Sequence, residues 1–167
     1  TIGIDTSGPS LHKRGYRALN TGAPLRETLA AAMVLLSRYR GKGILADPFC
    51  GSGTIAIEAA MIAKNRAPGL NRAFPSQKWS SVPQTAWMDA ADEALDKEYD
   101  GKYEISASDV EPKAVEVARQ NAALAEVDDL ITFSVADATR FASEAAAGRI
   151  VTNPPYGQRL MEKEEAE

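Results

Sequence analysis

Hydrophobic and polar positions along the 167 residues form short apolar runs separated by longer amphipathic stretches. Between residues 25 and about 39, Leu25, Leu29, Ala32, Met33 and Leu36 recur at the spacing of one helix face. Pro24 suits an early helical position, where its missing N–H is not needed, and Gly41 and Gly43 close the segment. Ile44, Leu45 and Ala46 make a short apolar run ending in Asp47-Pro48, the pattern of a buried strand meeting a turn. The Ala-rich stretch 54–64 predicts a second helix, closed by Pro68-Gly69. Further strands are expected at 103–108, 130–135 and 150–152. Pro112 opens another helix to about residue 125, and 141–147 reads as a short helix stopped by Gly148.

Two segments break this alternation. Residues 1–23 read as an irregular or hairpin lead-in to a domain occupying 24–167. Within it, 65–100 carries Pro68, Pro75, Pro83, both tryptophans and an acidic run, so it reads as a loop-rich insertion with a helix near 85–98. Strands alternating with helices imply βαβ units and a parallel sheet flanked by helices, an α/β Rossmann-like architecture. Such sheets bind ligands outside the carboxyl ends of their strands, so the strand ends are the places to search.

The first strand ends in Asp47-Pro48-Phe49-Cys50-Gly51-Ser52-Gly53-Thr54, whose two glycines allow close backbone approach just before a helix N-terminus. Gly51-x-Gly53-x-x-Ala56 also fits a dinucleotide fingerprint, so a dehydrogenase stays open at this point. Asp109, followed by Val110, ends the second strand and could accept hydrogen bonds from ribose hydroxyls; equally, it could serve the helix N-terminus at Pro112. Asp137, followed by Ala138, could meet an adenine amino group and ring nitrogen, or cap a helix.

The fourth strand runs into Asn153-Pro154-Pro155-Tyr156. Two prolines stiffen the chain and remove two N–H donors, leaving the Asn153 side-chain oxygen and the Pro154 carbonyl as acceptors. An exocyclic amine offers two N–H donors to such a pair, and Tyr156 offers a flat face for an extruded base. This combination selects methyl transfer to a planar amine over hydride transfer.

Charge refines the expectation. The net charge of −4 excludes a module that simply coats nucleic acid. Residues 1–43 nevertheless carry +5 against −9 for the rest, so Lys13, Arg14 and Arg17 are candidates for phosphate contact or for a solvated face. A single cysteine, Cys50, excludes an internal disulfide and gives no support for a Cys-based metal site; no metal is called for. The apolar runs are too short to span a membrane and no signal peptide opens the chain, so no membrane and a cytoplasmic location are expected. His12, the only histidine, is expected at the surface, and nothing indicates an oligomeric state.

Residues 47–60, Asp-Pro-Phe-Cys-Gly-Ser-Gly-Thr-Ile-Ala-Ile-Glu-Ala-Ala, together with Asn153-Pro154-Pro155-Tyr156, closely resemble an RNA methylase family. Its members are class I S-adenosylmethionine-dependent methyltransferases, commonly preceded by an RNA-binding THUMP domain. Leu11-His-Lys-Arg-Gly-Tyr-Arg and Ala23-Pro-Leu-Arg-Glu27 resemble the same family's lead-in.

The resemblance implies that Asp47, Gly51 and Gly53, with neighbours Pro48, Phe49 and Thr54, surround the methionine and sugar of S-adenosylmethionine. It further implies that Asp109 and Val110 serve the ribose side and Asp137 and Ala138 the adenine. Asn153, Pro154, Pro155 and Tyr156 would position the amine. The implied acceptor is RNA, with guanine N2 of 23S ribosomal RNA first and tRNA as another RNA partner. Adenine N6 in DNA or RNA and a protein glutamine amide remain rivals, as does a non-catalytic cofactor- or RNA-binding fragment. By this resemblance three more strands would follow the fourth, and a THUMP domain would belong to the full-length protein.

Overall fold

The computed structural model describes residues 2–17, 25–143 and 147–155. Helix α1 (Glu27–Leu36) precedes strand β1 (Ile44–Asp47), which turns into α2 (Thr54–Lys64). After a 3-10 turn (Pro75–Lys78) and α3 (Gln84–Asp96) come β2 (Glu104–Asp109), α4 (Pro112–Leu124), β3 (Ile131–Val135) and β4 (Gly148–Ile150). All strand pairs are parallel, in the order β3-β2-β1-β4. The chain steps from β1 out to β3, then returns to pair β4 with the other side of β1. The topological switch point therefore lies between β1 and β4, where ligand clefts of such sheets form.

Alternation along the strands sorts the two faces. Leu45, Ile105, Ala107, Ile131, Phe133 and Val151 are buried together with Ile57, Ala60, Val115 and Ala118 from α2 and α4. Their neighbours Ser106, Thr132 and Ser134 are half-buried or exposed on the opposite face. Small residues along α2 let it lie close to the sheet: Ala56, Ala59 and Ala60 are fully buried. Asn65 ends that helix in a left-handed conformation, φ 59°, ahead of the expected Pro68-Gly69 stop.

Three expectations need correction. In α1 the buried positions are Glu27, Ala30 and Val34, while Leu29 and Leu36 are 52% and 82% exposed. Leu25 and Met33 of the predicted stripe do pack against the core, half-buried, but the buried face is centred on Ala30 and Val34, one residue round from Leu29 and Leu36. The helix expected at 141–147 is instead a 3-10 turn at Ala138–Arg140, with 141–143 irregular; 144–146 and Pro24 lie outside the described residues. The fourth strand starts two residues early, at Gly148, because β1 supplies its pairing partner Ile44; Val151 extends the ladder by donating to the Ala46 carbonyl.

Candidate functional site

The turn after β1 is built by backbone conformation and cross-strand hydrogen bonds. Gly51 and Gly53 have φ of 51° and 83°, values that L side chains rarely adopt. A Cβ on Gly53 would sit 2.9 Å from the Ala118 Cβ, so glycine here lets α2 begin directly against α4. Cys50 N–H donates to the Ser108 carbonyl (2.9 Å) and Gly51 N–H to Asp109 Oδ2 (2.9 Å). From beneath, the buried Asn121 donates through Nδ2 to the Ser52 carbonyl (3.1 Å).

Asp109 receives the Gly51 N–H on one oxygen and the Glu111 N–H (3.0 Å) on the other. Each carboxylate oxygen keeps a further acceptor direction, which suits a vicinal diol. Of the two readings of this residue, the hydrogen bonds display the one at the entrance to α4. It closes the glycine turn and steadies the segment entering α4.

Asp47 is only 1% exposed. Its Oδ1 accepts the Thr152 hydroxyl (2.6 Å) and the Phe49 N–H (3.3 Å). Burial pushes its carboxyl up to about 7, Thr152 and Phe49 draw it back, and the negative charge of Asp109 adds to the rise. Pro48 is buried beside it, whereas Phe49 faces outward. Burial, then the charges of Asp47 and Asp109, push the Cys50 thiol up, so it packs as a neutral group.

Asp137 is exposed and caps the 3-10 turn, accepting from the Thr139 N–H (2.9 Å) and hydroxyl (2.8 Å). Those two donors hold its carboxyl below the ordinary range. It also borders an open cleft of about 570 Å³ beyond β2 and β3, lined by Ser106, Ser108, Ser134, Val135 and Phe141 among others. Val110 is exposed and Ala138 half-buried. Following Val151 and Thr152, Asn153 and Pro154 are exposed and Pro155 is half-buried. Tyr156 lies outside the described residues.

The basic lead-in is not a free phosphate-binding arm. Arg14 pairs with the buried Glu58 (3.4 Å), and the Tyr16 hydroxyl donates to the same carboxylate (3.1 Å). Arg17 pairs with the buried Glu27 (3.6 Å) and donates to the Leu25 carbonyl (2.8 Å) and to Thr54 Oγ1 (2.6 Å). Buried carboxylates demand such partners, which commits both arginines internally. Lys13 alone of the three stays exposed. Arg72 holds the same segment by donating to the carbonyls of Ser7, Pro9, Ser10 and Lys13.

The structure thus joins Asp47, Gly51 and Asp109 into one constellation and brings the strand carrying Asn153 onto it through Thr152. Asp137 stands past the end of β3, on a cleft whose lining includes Ser108 but none of Asp47, Gly51 and Asp109. Sequence reasoning missed Thr152 and Asn121, and read Arg17 as a phosphate contact or part of a solvated face rather than as a partner of Glu27 and Thr54. A hydroxyl closing an otherwise apolar strand and an asparagine among the alanines and valines of α4 were the available signals. Among the described residues, no three His, Cys, Asp or Glu side chains gather to hold a metal, and no helix is long and apolar enough to cross a membrane.

A parallel sheet with a glycine turn, an acidic residue at the second strand end and an acceptor-rich Asn-Pro-Pro segment at the switch point has the architecture of the Rossmann-like methyltransferase fold. The chain belongs to the family described as "RMKL-like, methyltransferase domain", which matches residues 14–167. It is 47% identical over 167 residues to "Putative RNA methyltransferase YpsC" of Bacillus subtilis, covering 99% of this chain and 43% of that protein. It is 43% identical to "Ribosomal RNA large subunit methyltransferase K/L" of Shewanella baltica, covering 96% of this chain and 23% of that protein. The solved structure of SMU.472 complexed with SAH superposes with a TM-score of 0.88 at 40% identity, covering 96% of this chain and 42% of that one. The chain therefore spans less than half the length of these relatives.

Proposed function

We propose that this chain forms the cofactor-binding and amine-positioning part of an S-adenosylmethionine-dependent methyltransferase acting on RNA, with guanine N2 of large-subunit ribosomal RNA as the acceptor. The observation that carries this reading is the Asn153-Pro154-Pro155 segment tied by Thr152 to Asp47, at the switch point beside the glycine turn. The donor set fits the cofactor. Asp109 keeps free acceptor directions for two ribose hydroxyls, the glycine turn exposes backbone, and the cleft beside Asp137 has room for a base. The SAH bound to SMU.472 and the RNA named for YpsC and the K/L enzyme support the same assignment.

When bound, S-adenosylmethionine supplies an electrophilic methyl group on a sulfonium sulfur. Asn153 Oδ1 and the Pro154 carbonyl accept the two N–H groups of the amine. This opposes delocalisation of its lone pair into the ring and aligns nitrogen for in-line attack. The same two acceptors would stabilise positive charge on the amine nitrogen, whose proton would leave to solvent. Tyr156 would stack on the extruded base.

Transfer of labelled methyl groups to unmodified ribosomal RNA, to DNA and to a glutamine-bearing protein tests the proposal in the full-length protein. Label in ribosomal RNA, mapped to guanine N2, is the expected result. Label in DNA alone would overturn the acceptor assignment.

A further inference from the structure

We propose that Thr152 is a positioning residue that locks the amine-binding segment to the cofactor turn through the Asp47 carboxylate. The proposal rests on the methyl-transfer reading above and adds to it a residue that need not touch either ligand.

The argument starts from how the two segments meet. Asp47 ends β1 and opens the glycine turn; Asn153 and Pro154 follow β4, which pairs with β1. The last ladder contact is Val151 N–H to the Ala46 carbonyl (3.0 Å). Beyond it, Pro154 and Pro155 have no N–H to donate, so the backbone cannot continue the ladder through them. Among the hydrogen bonds of the described residues, the 2.6 Å bond from Thr152 Oγ1 to Asp47 Oδ1 is the tie between the two segments past that point. It lies one residue before the Asn153 acceptor. A short bond to a carboxylate that is itself almost fully buried sets both distance and direction for the following residue.

The same bond couples the acceptor segment to the charge of Asp47. The groups facing that carboxylate are the Thr152 hydroxyl, the Phe49 N–H, the Asp109 carboxylate and the Cys50 thiol. Only the first two favour its ionised form. Removing the hydroxyl thus leaves Asp47 harder to ionise and leaves Asn153 less constrained, and the two effects can be read separately.

The test compares Thr152→Val, which keeps the shape and loses the donor, with Thr152→Ser, which keeps the donor, in the full-length protein. For Thr152→Val, kcat for RNA methylation should fall on the order of 10- to 100-fold, the scale of misaligned acceptors. KM for RNA should change less than about threefold, since base contacts survive. Titration with S-adenosylhomocysteine across pH 5.5 to 9 should show the midpoint of its binding moved to higher pH. Thr152→Ser should restore both readouts. Wild-type kcat in Thr152→Val, or an unmoved pH midpoint, would overturn the proposal. So would equal impairment of both variants in step with lowered thermal stability, which would mark a packing role only. If the wild-type protein methylates no acceptor, the methyl-transfer reading fails instead, while the pH midpoint still decides the Thr152–Asp47 tie.

Discussion

Asp47→Asn should make the cofactor-free protein more stable at neutral pH while weakening its site. The substitution keeps the shape of the side chain, and the amide oxygen can still accept from Thr152 and Phe49. What it removes is a proton equilibrium. Burial raises the Asp47 carboxyl to about 7, against roughly 3.9 in an unfolded chain. The folded state therefore binds a proton that the unfolded state has released over this range. The stability Asp47 allows is fully present below about pH 4 and is lost as pH rises through about 7. A gap of about 3 units corresponds to about 4 kcal/mol, or roughly 10 °C in Tm for a unit of this size. Thermal unfolding of both forms, without cofactor, from pH 5 to pH 8 should show the variant gaining on the wild type as pH rises. Affinity for S-adenosylhomocysteine should fall. A stability gap that stays flat with pH, or a directly titrated Asp47 carboxyl with its midpoint below 5, would refute the reasoning.

Other outcomes follow from the same geometry. Asn153→Ala should lower methyl transfer at least about 100-fold, as for loss of an aligned contact, while S-adenosylhomocysteine binding by calorimetry stays within a few-fold. Gly53→Ala combines a left-handed backbone with a 2.9 Å approach to the Ala118 Cβ; unfolding experiments should show a loss of about 2 kcal/mol. Arg72→Ala releases the carbonyls of Ser7, Pro9, Ser10 and Lys13. Trypsin should then cut after Lys13 or Arg14 several-fold faster, with cofactor affinity unchanged.

How far the sequence reached depended on whether the signal was local. The carboxyl ends of β1 and β2 were legible because an apolar run, an aspartate and a helix opener stand side by side at Asp47 and Asp109. Asp137 was legible only as a pair of alternatives, and the structure displays the cap. In α1 the period was readable but not the centre of the buried face, since Ala30 and Val34 are no more hydrophobic than the exposed Leu29 and Leu36. Arg14 looked like free charge because Glu58 lies 44 residues away, and no local pattern announces so distant a pairing. Thr152 was hidden for the same reason: its partner is 105 residues away.

That separation bears on how the molecule assembles. β1 meets β2 across 60 residues, at Ile44 and Glu104, and meets β4 across 104, at Ile44 and Gly148. Loop-closure entropy grows only with the logarithm of length, so the longer closure costs only about 0.5 kcal/mol more. Non-local parallel pairing is nevertheless slow. The half-sheet carrying the glycine turn and Asp109 can thus form while β4 is still unpaired, as it also would during synthesis from the N-terminus. In a chain made from its N-terminus, the strand ends carrying the glycine turn and Asp109 would therefore meet before the segment carrying Asn153 is laid beside them.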